Sequence, residues 1–337
     1  MKKEPLNIYD IAKMSGVSIA TVSRVVNGSE KVSASTRAKV MAVIDEVGYT
    51  PNVFAQGLGL KTMHTVGIMV PTIVDYYMAT AVSFLEKQFK EHRYDCILGC
   101  SGFEAEGKHA MTEMLLTKHI DALVYVGSTY AGDGRDLGTT DYLREAAAKV
   151  PIFIVNGSID GDNIYATVCE DEQAAYEAAT MLIGHGRKDI IFLTDSRSYS
   201  SNNKKHGYLR ALKDAGMNGS DGVIHLENDI HTVRDTLLAL GRKIDGIIAA
   251  NDKIAVGAVK YAAARGLRVP EDIEIIGYNN SQLAVSSTPE LSSIDNYTEQ
   301  ICCDTVERLM KLLDGDEDKP EKVKKFPCTL IKRETTE

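Results

Sequence analysis

Asn7-Ile-Tyr-Asp-Ile-Ala-Lys-Met-Ser-Gly-Val-Ser-Ile-Ala-Thr-Val-Ser-Arg-Val-Val-Asn27 is the stretch that decides how this chain begins to fold. Ile8, Ile11 and Ala12 share one helical face, and Val22, Val25 and Val26 share a second, at the spacings that bring side chains together on a helix. Between them lies Ser15-Gly16-Val17-Ser18. Gly16 supplies the permissive backbone that a sharp turn between helices needs, and Ser18 stands where its hydroxyl can cap the free amides of the next helix. The pattern predicts a helix-turn-helix whose second helix enters a DNA major groove. A third helix follows, with Ser33 as cap, Val40, Val43, Ile44 and Val47 inward, and Gly48 as stop.

Two ordinary helices of a small bundle would satisfy the same apolar spacing, so the outer face has to decide. Ile19, Ala20, Thr21, Ser23, Arg24 and Asn27 are small or hydrogen-bonding, with one guanidinium and no carboxylate. Arg can grip guanine O6 and N7 with two prongs, Ala and Ile can touch a thymine methyl, and Ser, Thr and Asn can reach phosphates. A merely solvated face would more often mix Glu with Lys.

The formal net charge of -9 at first argues against nucleic acid. Residues 1–60 nevertheless hold seven Lys/Arg against five Asp/Glu, and the remaining residues carry a balance of -11. Lys2, Lys3, Lys13, Arg24, Lys31, Arg37 and Lys39 therefore supply the local field a duplex would feel, while the acidic body repels it.

Past residue 64 short β-rich runs alternate with amphipathic stretches: Thr65–Val70, Tyr94–Leu98, Ala122–Val126, Ile152–Val155, Ala166–Val168, Ile190–Thr194, Val223–Leu226, Gly246–Ala249 and Ile273–Gly277, with helices between most of them. Such alternation implies parallel sheets covered on both faces. There are too many strands for one sheet, and Asn163-Ile-Tyr-Ala is expected to open a second cycle. The expected fold is an all-α helix-turn-helix headpiece (1–50), a hinge (51–62) and an α/β core of two Rossmann-like lobes (63–337). Lobe 1 is expected to span about 63–161 and 291–323, and lobe 2 about 162–290 and 324–337.

Residues 7–60, with the segment Tyr49-Thr-Pro-Asn-Val-Phe-Ala-Gln-Gly-Leu-Gly-Leu60, resemble the headpiece and hinge of the lactose/galactose repressor family, and the rest resembles that family's core, which is periplasmic-binding-protein-like. The resemblance implies a transcription regulator, more often a repressor, that binds a near-palindromic operator as a homodimer. It makes Ile19, Ala20 and Arg24 the base-reading positions. Tyr9, Ser18, Thr21, Ser23 and Asn27 would support them or touch phosphates, and Leu58 would wedge open a minor-groove step. Gly57 and Gly59 flank Leu58, so the hinge is expected to be coil until it pairs with a second hinge on DNA.

By the same resemblance four segments form an effector cleft: Val74–Met78, Ser198–Gly207, Ala250–Asp252 and Gly277–Asn280. Asp75, Tyr77, Ser198, Ser200, Lys204, Asn251, Asp252 and Asn279 are its candidate contacts. Lys204 stands where relatives often carry Arg, Asn279 where they carry Asp, and Cys169 replaces another common Asp. A ligand that needs a carboxylate at that spot is disfavoured, and a neutral carbohydrate is the expected class. One rival is a catabolite-control-type regulator with a phosphorylated carrier protein as corepressor, whose headpiece has a similar Ala-Thr-Val-Ser-Arg-Val-Val-Asn-Gly run. Another is a sugar-binding receptor without a DNA role.

Enzymatic readings are weak. Gly102-Phe-Glu-Ala-Glu-Gly-Lys-His109 nearly matches a P-loop, but His109 replaces the magnesium-binding Ser/Thr, and two carboxylates sit in the phosphate cradle. Gly132-Asp-Gly134 lacks the third glycine of a dinucleotide fingerprint. His109, His119, His185 and His206 read as surface or satisfied histidines, and no catalytic constellation, cofactor or metal site is expected. The six cysteines form no C-x-x-C pair, and neither an apolar leader nor a run of roughly 20 apolar residues occurs, so a reduced cytoplasmic protein with buried thiols is expected. No leucine heptads follow Lys332, which favours a dimer over a tethered tetramer.

Overall fold

The computed structural model describes residues 6–26, 29, 31–49, 62–132, 138–316 and 318–337. Asn27 and the hinge residue Leu58 lie outside them. The chain divides after Thr65 into two compact units.

In the first unit α1 spans Ile8–Ser15, α2 Ile19–Val26 and α3 Ala34–Val47. Asn7 caps α1 by accepting from the amides of Tyr9 and Asp10, and the Asp10 carboxylate reaches back to the Asn7 amide. Gly16 ends the helix at φ 63°, in the left-handed region. Ser18 Oγ accepts from the Thr21 amide at 3.1 Å, and Ser33 caps α3 through the Thr36 amide. Ile11, Ala12, Val22, Val25, Val40 and Ile44 form the core of the unit. Arg37 turns inward, donating to the carbonyls of Val25 and Ser29, and so ties α3 to the end of α2.

The second unit contains β1 (Thr65–Val70), α4 (Tyr76–Glu91), β2 (Asp95–Cys100), α5 (Ala105–Leu116), β3 (Ala122–Val126), α6 (Asp141–Ala147), β4 (Ile152–Val155), β5 (Ile164–Cys169), α7 (Asp171–Gly184), β6 (Ile190–Thr194), α8 (Tyr199–Asp214), β7 (Val223–His225), α9 (Ile230–Ala239), β8 (Gly246–Ala249), α10 (Asp252–Arg265), β9 (Glu274–Tyr278), α11 (Gln282–Ser286), β10 (Ser292–Asp295), α12 (Thr298–Leu313), β11 (Val323–Phe326) and β12 (Thr329–Ile331). Two six-stranded sheets result, ordered β11-β5-β4-β3-β1-β2 and β12-β10-β9-β8-β6-β7. β3 pairs in parallel with β1 and β4, β5 with β4 and β11, β6 with β7 and β8, and β9 with β8 and β10, while β12 pairs antiparallel with β10. The inner strands are buried on both faces, which is why several of them are continuous apolar runs such as Ala122–Val126 and Ile152–Val155. Gly207 allows α8 to lie against α7, because a Cβ there would come within 2.0 Å of the Glu172 carbonyl oxygen.

The pairings correct the expected division of the lobes. Ile164–Cys169 does not open the second lobe; it pairs with β4 and β11 in the first sheet. Ser292–Asp295 pairs with β9 in the second sheet, although residues from 291 were expected to have crossed back. Val323–Phe326, split between the lobes in the sequence reading, lies wholly in the first sheet. The chain therefore crosses between the sheets at 169–171, 295–298 and 326–329. An apolar run such as Ala166–Val168 announces a strand but not the sheet it will join, whereas Ser292–Asp295 and Val323–Phe326 carry polar or charged residues and did not read as strands at all.

Glu274, fully buried on β9, accepts from His185 Nδ1 at 2.9 Å, from Arg187 Nε at 2.8 Å and from the Glu337 amide at 2.8 Å. Burial alone pushes its carboxyl pKa up, but these partners outweigh burial and hold it below its usual value of 4.5. A lowered folded-state pKa contributes stability above the unfolded value, and that contribution is lost as pH falls through the folded one. Arg187→Ala should destabilise the core by about 3 kcal/mol at neutral pH, because it strands a buried charge. Urea unfolding of wild type and variant at pH 7 and below pH 4 checks this: the difference between them should shrink on acidification.

Candidate functional site

The outward face of α2 carries the predicted reading residues. Ser18, Ile19, Ala20 and Arg24 are exposed, and Thr21 and Ser23 half-buried, while Val22 and Val25 point into the core. Tyr9, on α1, is 66% exposed. Ser18 and Thr21 hydroxyls lie 2.8 Å apart, so the cap residue is held in place by the helix it starts. No carboxylate stands in the first turn of α2, and its last turn carries Arg24, so the face offers donors and one cation.

In the core, each sheet has the order 2-1-3-4-5 in its own numbering, with one further strand at the edge. The order reverses between β1 and β3 in one sheet and between β6 and β8 in the other, and such reversal points open crevices at strand carboxyl ends. The loops leaving those four strands supply Asp75, Ser128, Asp195, Ser196 and Asn251 to a single cavity of about 140 Å³, completed by residues such as Tyr77, Asn156, Lys204 and Asn228. Ser128 Oγ of the first lobe donates to Ser198 Oγ of the second at 2.9 Å, drawing the lobes together across the opening.

This cavity is short of hydrogen-bond partners. Among the described residues six buried side-chain polar atoms lack one, and four of them belong to residues that line it: Tyr77 Oη, Thr129 Oγ1, Asn156 Oδ1 and Asn228 Oδ1. Buried polar groups are nearly always paired, so four orphans around one void mark a place built for polar matter. Burial, with Cys169, Cys302 and Asp171 adding to it, pushes the Tyr77 hydroxyl pKa well up and keeps it a donor. Asp195 opens onto the cavity, yet surrounding protein still raises its carboxyl pKa against hydrogen bonds and Lys204. A larger hollow of about 410 Å³ adjoins on the other side of Tyr77 and Asn279. Tyr77 Oη is the only one of those six atoms whose residue lines it, so the smaller void is the better candidate site.

Residues 7–52 match the family described as bacterial regulatory proteins, lacI family, and residues 179–336 match the periplasmic binding protein-like domain. An HTH-type transcriptional regulator of Lachnoclostridium phytofermentans is 42% identical over 98% of this chain and 99% of its own length. Catabolite control protein A of Priestia megaterium is 33% identical over 86% and 87%. The lac repressor dimer bound to operator and the anti-inducer ONPF superposes with a TM-score of 0.87, at 24% identity, over 99% of both chains. The chain belongs to the lacI family of bacterial regulatory proteins. It is a DNA-binding transcriptional regulator, not an enzyme.

Within that lacI-family framework the near-P-loop has a packing explanation. A Cβ on Gly107 would come within 2.2 Å of the Ser101 carbonyl oxygen, and Lys108 Nζ donates to the Thr129 carbonyl at 2.9 Å instead of facing a phosphate. His185 is the partner of Glu274 already described. Among the described residues no helix is long and apolar enough to cross a membrane. The thiols are not all buried as expected: Cys100 is exposed.

Seven of the eight predicted effector contacts line the cavity: Asp75, Tyr77, Ser198, Ser200, Lys204, Asn251 and Asn279. Several are partly spent on the fold. Asp75 caps α4, Asn251 caps α10, Ser200 donates to Asp171 at 2.5 Å, and Lys204 Nζ donates to the Ala250 carbonyl while lying 3.6 Å from the Tyr278 ring centre. Asp252 lines neither hollow. Its carboxylate accepts from Ser293 Oγ at 2.5 Å and from the Ser281 amide at 2.7 Å, in space that exists because Gly277 has no side chain. Asn156, Asp195, Asn228, Ser128 and Thr129 were missed, although Asn156 and Asp195 directly follow strands and obey the strand-end rule that found the others. Asp252→Ala should lower core stability by about 3 kcal/mol, measured by urea unfolding, by stranding the donors it satisfies. A stable variant with a selective loss of effector response would contradict this structural role.

Proposed function

We propose that this regulator binds a near-palindromic operator as a homodimer and is controlled by a neutral carbohydrate held between the core lobes. Ile19, Ala20 and Arg24 read base edges, with Tyr9, Ser18, Thr21, Ser23 and Asn27 on phosphates or in support. Leu58 of each hinge enters the minor groove between the half-sites. The solved lac repressor dimer on operator supports the arrangement, as does the carboxylate-free face of α2.

The four orphaned polar atoms around the cavity carry the choice of ligand. A polyol supplies hydroxyls that both donate and accept, which suits an unpaired tyrosine hydroxyl beside unpaired amide oxygens. The carboxylates of Asp75 and Asp195 disfavour a phosphorylated or acidic sugar, and the one deep cation, Lys204, is already engaged. A solved relative, the transcriptional regulator CelR, was captured with cellobiose, at 24% identity and a TM-score of 0.71. At about 140 Å³ the void is well below the roughly 300 Å³ at which small-molecule sites usually begin, so binding requires the Ser128–Ser198 bond to open. Relative movement of the lobes would then reach the hinges through the dimer. A typical coupling of about 1–3 kcal/mol changes DNA affinity roughly 5–150-fold. The protein would act in the cytoplasm.

Selection of duplexes from a random pool, repeated with a panel of neutral and phosphorylated sugars, tests this reading. A palindromic consensus whose retention changes with one neutral sugar is expected, whereas a shift only with a phosphorylated carrier protein would favour the catabolite-control alternative. Arg24→Ala should cost about 1–3 kcal/mol per half-site and relax preference at one base position, seen by footprinting across salt concentrations. Asp195→Asn should weaken the sugar roughly tenfold to a hundredfold by calorimetry, since it removes a charged acceptor, and leave ligand-free DNA affinity unchanged.

A further inference from the structure

Where the chain crosses between the lobes, two cysteines meet. Cys169 ends β5 and is paired in register with Phe326 of β11, and Cys328 lies two residues beyond Phe326, on the segment leading to β12. Their sulfur atoms and an Asp171 carboxylate oxygen lie within 4.8 Å of one another. Cys169 is 4% exposed, and Cys328 is half-buried. Tyr278 Oη stands 3.5 Å from Cys328 Sγ and 2.6 Å from Asp171 Oδ1, and the Lys204 ammonium sits over the Tyr278 ring.

We propose that Cys328 and Cys169 form a peroxide-reactive dithiol, oxidised by hydroperoxides to a disulfide that staples two of the three lobe crossings. This goes beyond DNA and sugar binding and does not depend on either. Hydrogen bonding from Cys169 lowers the Cys328 pKa and, with Lys204 lowering it further, outweighs the upward push of burial and of the Asp171 carboxylate. Cys169 is pushed well up by the same pairing and by its own burial. The less buried of the two cysteines is thus the better thiolate, as an attacking cysteine should be.

Cys328 thiolate attacks one peroxide oxygen. An S–O bond forms, the O–O bond breaks, and the leaving alkoxide or hydroxide takes a proton. Cys169 then attacks the sulfenic sulfur: the S–S bond forms, the S–O bond breaks, and the departing hydroxide leaves as water with the Cys169 proton. Two thiols lose two electrons, and the hydroperoxide becomes an alcohol, or water, plus water. A metal cation is a poorer occupant of the same cluster. Both Asp171 oxygens are engaged, by Ser200 and Tyr278, and the neighbouring ammonium repels positive charge.

Full-length protein is treated with hydrogen peroxide, digested without reductant and mapped by mass spectrometry. The expected product joins the Cys169 and Cys328 peptides, is reversed by dithiothreitol, and slows hydrogen exchange at 169–171 and 326–329. Cys169→Ser should stop at a Cys328 sulfenic acid trapped by dimedone, while Cys328→Ser should leave Cys169 reduced. Retention of both thiols while exposed Cys100 oxidises would overturn the proposal, as would unchanged dimedone labelling in Cys328→Ser. Because the readouts are chemical, they stand whatever DNA or sugar the protein selects.

Discussion

Three chain crossings between two sheets impose one constraint on the core: the polar groups carried into that narrow, buried region must find partners there. Asp171 is 1% exposed at the first crossing and is satisfied by Ser200 and Tyr278, both from the second lobe. Asn296 is fully buried at the second; its amide donates to Asn279 Oδ1, and its side-chain oxygen accepts from Thr298. The lobes are thus joined by directional bonds rather than by a continuous apolar seam. Directional bonds are made or unmade in discrete sets, so such a junction favours distinct arrangements over gradual flexing. That property suits a receptor whose output must switch.

The same economy of partners explains the difference between the crossings and the cavity beside them. At the crossings nearly every donor has an acceptor; a few ångströms away Tyr77, Thr129, Asn156 and Asn228 hold polar atoms with none. Rigid, satisfied groups position unsatisfied ones. Asp75 and Asn251 do both tasks, using one oxygen to cap a helix and presenting the rest of the side chain to the void.

How much of this could be read in advance followed the range of the interactions involved. The headpiece was readable almost residue by residue, because caps, turn and apolar stripe lie within four residues of what they act on: Ser18 on Thr21, Ser33 on Thr36, Gly16 on its own helix. The strands from β1 to β9 were readable but not their memberships, since the pairing of Ile164–Cys169 with Val323–Phe326 spans more than half the core, and the short, partly polar β10, β11 and β12 were not read as strands. Asp252 shows the limit most sharply. It stands at a strand's carboxyl end beside a cavity residue, but its orientation is set by Gly277, Ser281 and Ser293, which no local pattern connects to it. Asn156 and Asp195 were within reach of the strand-end rule and needed only its even application to every strand.

On α2 the side chains that hold the fold, Val22 and Val25, and those turned outward, Ile19, Ala20 and Arg24, occupy opposite sides of one short helix and share no bonds. Replacing an outward residue therefore leaves the packing intact. Descendants of such a gene can acquire new target sequences by single surface substitutions, each tolerated from the first generation, while the sensing half stays as inherited.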